Sequence, residues 1–194
     1  MSITRLTTNG LIGTKYDTVS ADNYYMEPIA TTLLTSTAAT ITFDNIPQGY
    51  KHLQLRQIAR LNVSDLGTEI IRLRFNDDSS TSYSQHAVYG FGQNPTGSSG
   101  AASQVMTNSG ALLQRSNNTL VFTVGITDIL DYSNVNKCKT VRTLTGADDN
   151  GAGWVGLYSG LWANTAPITK IVLTPTAAIN LGVNSRFSLY GIRG

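Results

Sequence analysis

The chain carries one cysteine, Cys138. It therefore has no internal disulfide framework and cannot build a cysteine-based zinc site. Two histidines, His52 and His86, leave little material for a histidine metal cluster. Charged residues occupy only 13% of the 194 positions, about half the usual share for a soluble domain. The formal charge of +2 is too small to call for a nucleic-acid partner. No apolar run is long enough to cross a bilayer, and the opening MSITRLTTNGLIGTKYD lacks the apolar core of a signal peptide. The expectation is a protein without membrane or nucleic-acid contacts. Helical periodicity is missing as well, because Gly, Pro or β-branched runs interrupt every candidate stretch.

Hydroxyl and amide groups replace the missing charge. Threonine alone occurs 25 times, joined by abundant Ser, Asn and Gly. Such a neutral surface suits close packing against neighbours, because burying it costs less than burying ions. It also suits sugar binding. Hydrophobic residues make up 41% of the chain, enough to exclude disorder for most of it.

Strand signals recur at short spacing. Ile29 to Thr35 and Ala38 to Phe43 read as short strands joined by Ser36-Thr37. Along Tyr50 to Arg60, Leu53, Leu55 and Ala59 point one way and His52, Gln54, Arg56 and Arg60 the other. Ile58 interrupts the polar face, which suggests a bulge or a covered second face. Ile71, Leu73 and Phe75 alternate with Arg72 and Arg74 in the same manner. Further strands are expected at Ser84–Gly90, Thr119–Leu130, Lys137–Thr145, Gly153–Trp162, Ile168–Leu173 and Arg186–Ile192. The segment Gly92 to Gly110 is small, polar and Gly-rich, and reads as a long loop. Nine or ten strands without helices predict an all-β, antiparallel two-sheet β-sandwich of jelly-roll type over residues 29–194. Residues 1–28 lack sustained alternation and read as an irregular N-terminal arm containing Tyr24 and Tyr25. Such an arm either docks on a neighbouring subunit or packs on its own sandwich.

Catalytic constellations are weak. No G-x-S-x-G elbow accompanies His52 or His86. Cys138 lies between Lys137 and Lys139 and reads as a small core residue, with the lysines on the opposite face. Asp128 and Asp131 end a strand, where acids cap turns. Asp148-Asp149-Asn150-Gly151 lacks the alternating ligands and distal Glu of a calcium loop. No enzyme activity, cofactor or metal is expected.

Arg56, Arg60, Arg72 and Arg74 are the notable cations. If their two strands paired, four guanidiniums would share one face and need acids to answer them. Those acids come either from another subunit or from Asp65, Glu69, Asp77 and Asp78 in nearby turns. Trp154, Tyr158 and Trp162 fall on one face of another strand, with Val155, Leu157 and Leu161 on the other. The aromatic row serves either packing or a sugar platform.

Several segments together resemble a family of small virion proteins of tailed bacteriophages. They are FDNIPQGYKHLQLRQIAR (Phe43 to Arg60), IRLRFNDD followed by YSQHAVYG (Ile71 to Gly90), TDILDYSNVNKCKTVRTLTGADDNGAG (Thr127 to Gly153), SGLWANTAPITKIVLTP (Ser159 to Pro175) and FSLYGIRG (Phe187 to Gly194). The opening LTTNGLIGTKYD is similar too. The resemblance implies a virion structural protein assembled in host cytoplasm, either a decoration or cement protein on the capsid or a tail fibre or tail-tip receptor-binding protein. It implies the major capsid protein or other virion proteins as partners, a dimer or trimer, and a host surface glycan in the tail reading. It carries over no catalytic residue.

Overall fold

The computed structural model describes residues 25–63, 67–92, 94–114, 120–148 and 153–194. These residues contain no helix. They form twelve strands: β1 (Met26–Leu33), β2 (Ile41–Phe43), β3 (His52–Ala59), β4 (Gly67–Phe75), β5 (Tyr83–Phe91), β6 (Asn94–Gln104), β7 (Thr107–Gln114), β8 (Thr123–Leu130), β9 (Lys139–Ala147), β10 (Trp154–Trp162), β11 (Ile171–Pro175) and β12 (Arg186–Ile192). An eight-stranded sheet has the order β1-β12-β3-β8-β9-β10-β5-β6, and a four-stranded sheet the order β2-β11-β4-β7. Every pairing is antiparallel.

The winding explains the architecture. The chain passes from β1 to β2, from β3 to β4, from β7 to β8 and from β11 to β12 by changing sheets each time. As a result β1-β12-β3-β8 and β2-β11-β4-β7 have matching neighbour relations in the two sheets, the double wrapping of a jelly roll. The larger sheet continues through β9, β10, β5 and β6, and β9, β10 and β5 also pack against β7. The all-β sandwich expected from the alternation is the fold observed.

Alternating apolar residues fill the space between the sheets. Leu53 and Leu55 of β3 and Leu189 of β12 face Ile71, Leu73 and Phe75 of β4 and Ile171 and Leu173 of β11, all buried. Trp162, Tyr83 and Phe75 form an aromatic cluster at one end, with ring centroids 5.6–6.2 Å apart. The Trp162 indole N–H donates to Asp78 Oδ2 at 2.6 Å, and the Tyr83 hydroxyl accepts from Phe75 N at 3.0 Å, so both polar groups of the cluster are paired.

Between β7 and the larger sheet the packing changes character. Thr107, Ser109 and Ala111 are buried, and a Cβ on Gly160 would collide with the Thr107 side chain. Glycine therefore lets β10 approach β7 closely. Side chains of the larger sheet satisfy the backbone of β7: Gln57 Nε2 donates to the Ser109 carbonyl at 3.1 Å, and Thr145 Oγ1 to the Ala111 carbonyl at 3.3 Å. Gln85 Oε1 accepts from Asn108 N at 3.0 Å, and Thr123 Oγ1 from Leu113 N at 2.9 Å. Ser109, Thr127 and Thr143 join their hydroxyls in a buried chain with 3.0 and 2.7 Å links. This strand edge would otherwise leave orphaned buried amides.

Several sequence expectations need correction. Gly92 to Gly110 is not a loop: it supplies β6 and the first half of β7. Met26 to Pro28 belong to β1 rather than to the arm; residues 1–24, including Tyr24, lie outside the described residues. The segments around Ile29 and Phe43 sit in different sheets and form no hairpin. No bulge occurs at Ile58, whose pairing with Arg186 and Val124 is regular. Cys138 is exposed, and its neighbour Lys139 is the buried residue. Lys139 Nζ donates to the carbonyls of Asn134, Lys137 and Thr165 at 2.6, 2.7 and 2.9 Å, using all three of its donors. Burial pulls this amine below its usual range.

Candidate interaction surface

The larger sheet has one face toward the core and one away from it. Strand alternation puts Ile58 of β3, Val124 and Ile126 of β8, Leu144 of β9, Val155, Leu157 and Leu161 of β10 and Val88 of β5 on the outer face. All of them are exposed: Val155 by 58%, Leu144 by 57% and Val124 by 55%. The strand register aligns them. Ile126 pairs with Leu144, Leu144 with Leu157, and Leu157 with Val88. One aliphatic row thus crosses four adjacent strands. A second row runs from Ile58 through Val124, Gly146 and Val155 to Gly90. The glycines lower the floor there, and an open trough of about 1250 Å³ follows this row, bordered by Arg56, Tyr190, Arg186, Phe122 and Trp154.

Polar groups surround the aliphatic centre. Arg142 pairs with Asp128 at 2.9 Å, and Gln54 donates to the other oxygen of the same carboxylate at 3.0 Å. Arg56 lies over the Tyr190 ring at 5.0 Å and donates to Gln54 Oε1 at 2.9 Å. An apolar centre with Arg and Tyr at its rim has the anatomy of a protein–protein interface. A contiguous exposed aliphatic patch on a sheet is itself unusual for a monomer.

The residues expected at an interface fall in several places. Arg56 borders this surface. Arg60 lies past the end of β3, with its guanidinium 5.6 Å over the Phe122 ring. Arg72 and Arg74 belong to the smaller sheet, because β4 pairs with β11 and β7 and never with β3. The four arginines therefore do not share a face. Nor do the described acids nearby answer them: Asp77 pairs with Lys170 at 2.9 Å, Asp78 receives Ser80, Ser82 and Trp162, and Glu69 accepts from Ile70 N, while Asp65 lies outside the described residues. Tyr25 is 81% exposed at the start of the described chain. Tyr158 and Trp162 are buried in the core, so neither meets another molecule. Burial pushes the Tyr158 hydroxyl up to about 12. Trp154 alone of the aromatic row reaches the surface, stacked on Tyr89 at 4.6 Å with Phe91 edge-on at 6.0 Å.

Acid–base candidates are tied into structure. Asp131 N donates to His52 Nδ1 at 2.9 Å, and the Asp131 carboxylate pairs with Lys137 at 2.6 Å. The Lys137 hydrogen bond holds this carboxyl below its ordinary range. Asp128 is committed to Arg142 and Gln54, so the two acids have separate partners. Among the described residues no three His, Cys, Asp or Glu side chains gather as metal ligands. Compared with protein-family models, curated proteins and solved structures, the chain matches none.

The aliphatic face escaped the sequence reading, although its signal was present. Both faces of GWVGLYSGLW are apolar, and period-two alternation does not say which one turns inward. The glycines do: Gly156 and Gly160 share the aromatic face, where a Cβ on Gly160 would meet Thr107 of β7 and one on Gly156 the rings of Tyr158 and Trp154 beside it.

Proposed function

We propose that this protein is a structural protein of a tailed-phage particle, an accessory that lies on the capsid and stabilises it through protein–protein contact. The exposed aliphatic face of the eight-stranded sheet carries this reading. Eight strands about 4.8 Å apart and about 26 Å long present a face near the ~800 Å² that each partner contributes to a standard interface. Its action would be mechanical, since a sandwich laid across subunit junctions buries area and slows their dissociation. The resemblance of the quoted segments to phage virion proteins supports the setting. Jelly-roll sandwiches recur in viral coat and lectin domains, which supports it by analogy of fold only.

The test is the copy number and position of the protein on purified particles, read by quantitative gel analysis and low-resolution imaging. Copies in proportion to the capsid lattice agree with a decoration role. Absence from particles overturns the reading.

A tail-tip receptor-binding role is the second reading. It draws on Trp154, Phe122 and Tyr190 around the trough, since aromatic faces suit sugar rings. A copy number matching the tail's symmetry, together with binding of the isolated protein to host surface polysaccharide, would favour it over the capsid role.

A further inference from the structure

The two sheets have four edge strands, β1, β6, β2 and β7. An unprotected edge is a template for pairing with another chain, and folded proteins block such edges by recognisable means. Three of the four are blocked here. β1 carries Glu27 and Pro28 and a register shift between Pro28 and Ala30. β2 is only three residues long. The backbone of β7 is taken by Gln57, Gln85, Thr123 and Thr145 of the opposite sheet.

β6 differs. It is the longest strand, eleven residues reading NPTGSSGAASQ, and it contains no charged side chain. Its interruptions lie at the ends: Pro95 is its second residue, register shifts occur on either side of the run from Gln85↔Ala101 to Tyr89↔Gly97, and the Ala102 carbonyl accepts from Gln104 Nε2. Within that run the pairing with β5 is regular. The opposite edge of the run meets no other strand among the described residues.

We infer that β6 pairs antiparallel with β6 of a second copy, joining two eight-stranded sheets edge to edge about a two-fold axis. A neutral strand is its own complement in this geometry. Two-fold antiparallel pairing places each free N–H opposite a free carbonyl, and no like charges face one another. A strand so poor in side-chain information has a weakly specified edge when alone, and pairing fixes it. The two aliphatic faces become parts of one larger sheet surface, so the union adds to the surface described above without consuming it. The inference stands whether or not the protein belongs to a virion.

Ser98 tests it, because its exposed side chain lies beside Val88 on the outer face, away from the core. Ser98→Lys and Ser98→Glu are compared with the parent by sedimentation under reducing conditions, across a concentration series. The parent is expected to dimerise, each variant to be monomeric, and an equimolar mixture of the two to recover a heterodimer. Recovery also shows that both variants fold. The double variant Leu144→Asp/Leu157→Asp, altered on the aliphatic face, is expected to remain dimeric. A monomeric parent at every concentration overturns the inference. So do single-charge variants that dimerise like the parent, and so does loss of the dimer in the aliphatic-face variant alone.

Discussion

Gln57 on the larger sheet donates its side-chain amide to the backbone carbonyl of Ser109 on the smaller one, 52 residues away in sequence, at 3.1 Å. Both residues are buried. The bond shows how this sandwich holds its β7 edge, by side chains from the opposite layer rather than by another strand. Gln57→Leu removes the donor and leaves the carbonyl unsatisfied. A stability loss of about 1–3 kcal/mol is expected in chemical denaturation, with little change in the denaturant slope.

Gly160 supplies the close approach on which these bonds depend. A Cβ there meets the Thr107 side chain. Gly160→Ala is expected to cost about 1–3 kcal/mol through overpacking, although alanine is otherwise tolerated in strands. Combining it with Thr107→Ala, which removes the hydroxyl nearest that Cβ, should recover part of the loss. Thermal unfolding of the single and double variants measures the recovery.

Asp78 makes stability depend on acid. Hydrogen bonds from Ser80 first, and then from the Trp162 indole, hold its carboxyl far below the ordinary value of 3.8. A carboxylate depressed in the folded state contributes stability that is fully present above its unfolded value and lost as pH falls toward the folded one. The parent should therefore lose stability as pH drops below about 4. Asp78→Asn should be less stable at neutral pH and show a shallower acid loss. Urea midpoints measured from pH 7 down to the acid limit give the comparison.

Tyr83 and Tyr158 set the alkaline limit. Burial raises both hydroxyls from 10.0 to about 12. An acid whose folded value is raised contributes stability present below the unfolded value and lost as pH climbs toward the folded one. Stability should fall between pH 10 and about 12. In a pH titration followed by tyrosinate absorbance, these two rings should ionise only with unfolding. Tyr83→Phe should move the transition to higher pH.

Much of the fold was readable because period-two alternation is local. The alternation of Arg186–Ile192 matches the bounds of β12, and the apolar positions Leu53, Leu55, Leu73 and Phe75 are the buried ones. What alternation does not encode is the partner of a strand. Arg56 and Arg72 lie on similar-looking strands yet belong to different sheets, because the chain changes layer at nearly every core connection. Strands β6 and β7 were missed because Gly, Ser and Ala carry no hydrophobic period. β7 is held by buried polar bonds from distant residues, and no local signal announces them. Alternation puts Cys138 inside and Lys139 outside; the reverse holds because three carbonyls from two separate turns meet at Lys139 Nζ.

The central claim is that the outer face of the larger sheet is a contact surface. The direct test is binding of the parent and of Leu144→Asp/Leu157→Asp to purified phage heads stripped of the protein. These side chains face away from the core, so the variant should unfold within about 0.5 kcal/mol of the parent. It should also fail to bind the heads that the parent saturates. A folded variant that binds as well as the parent would contradict the account.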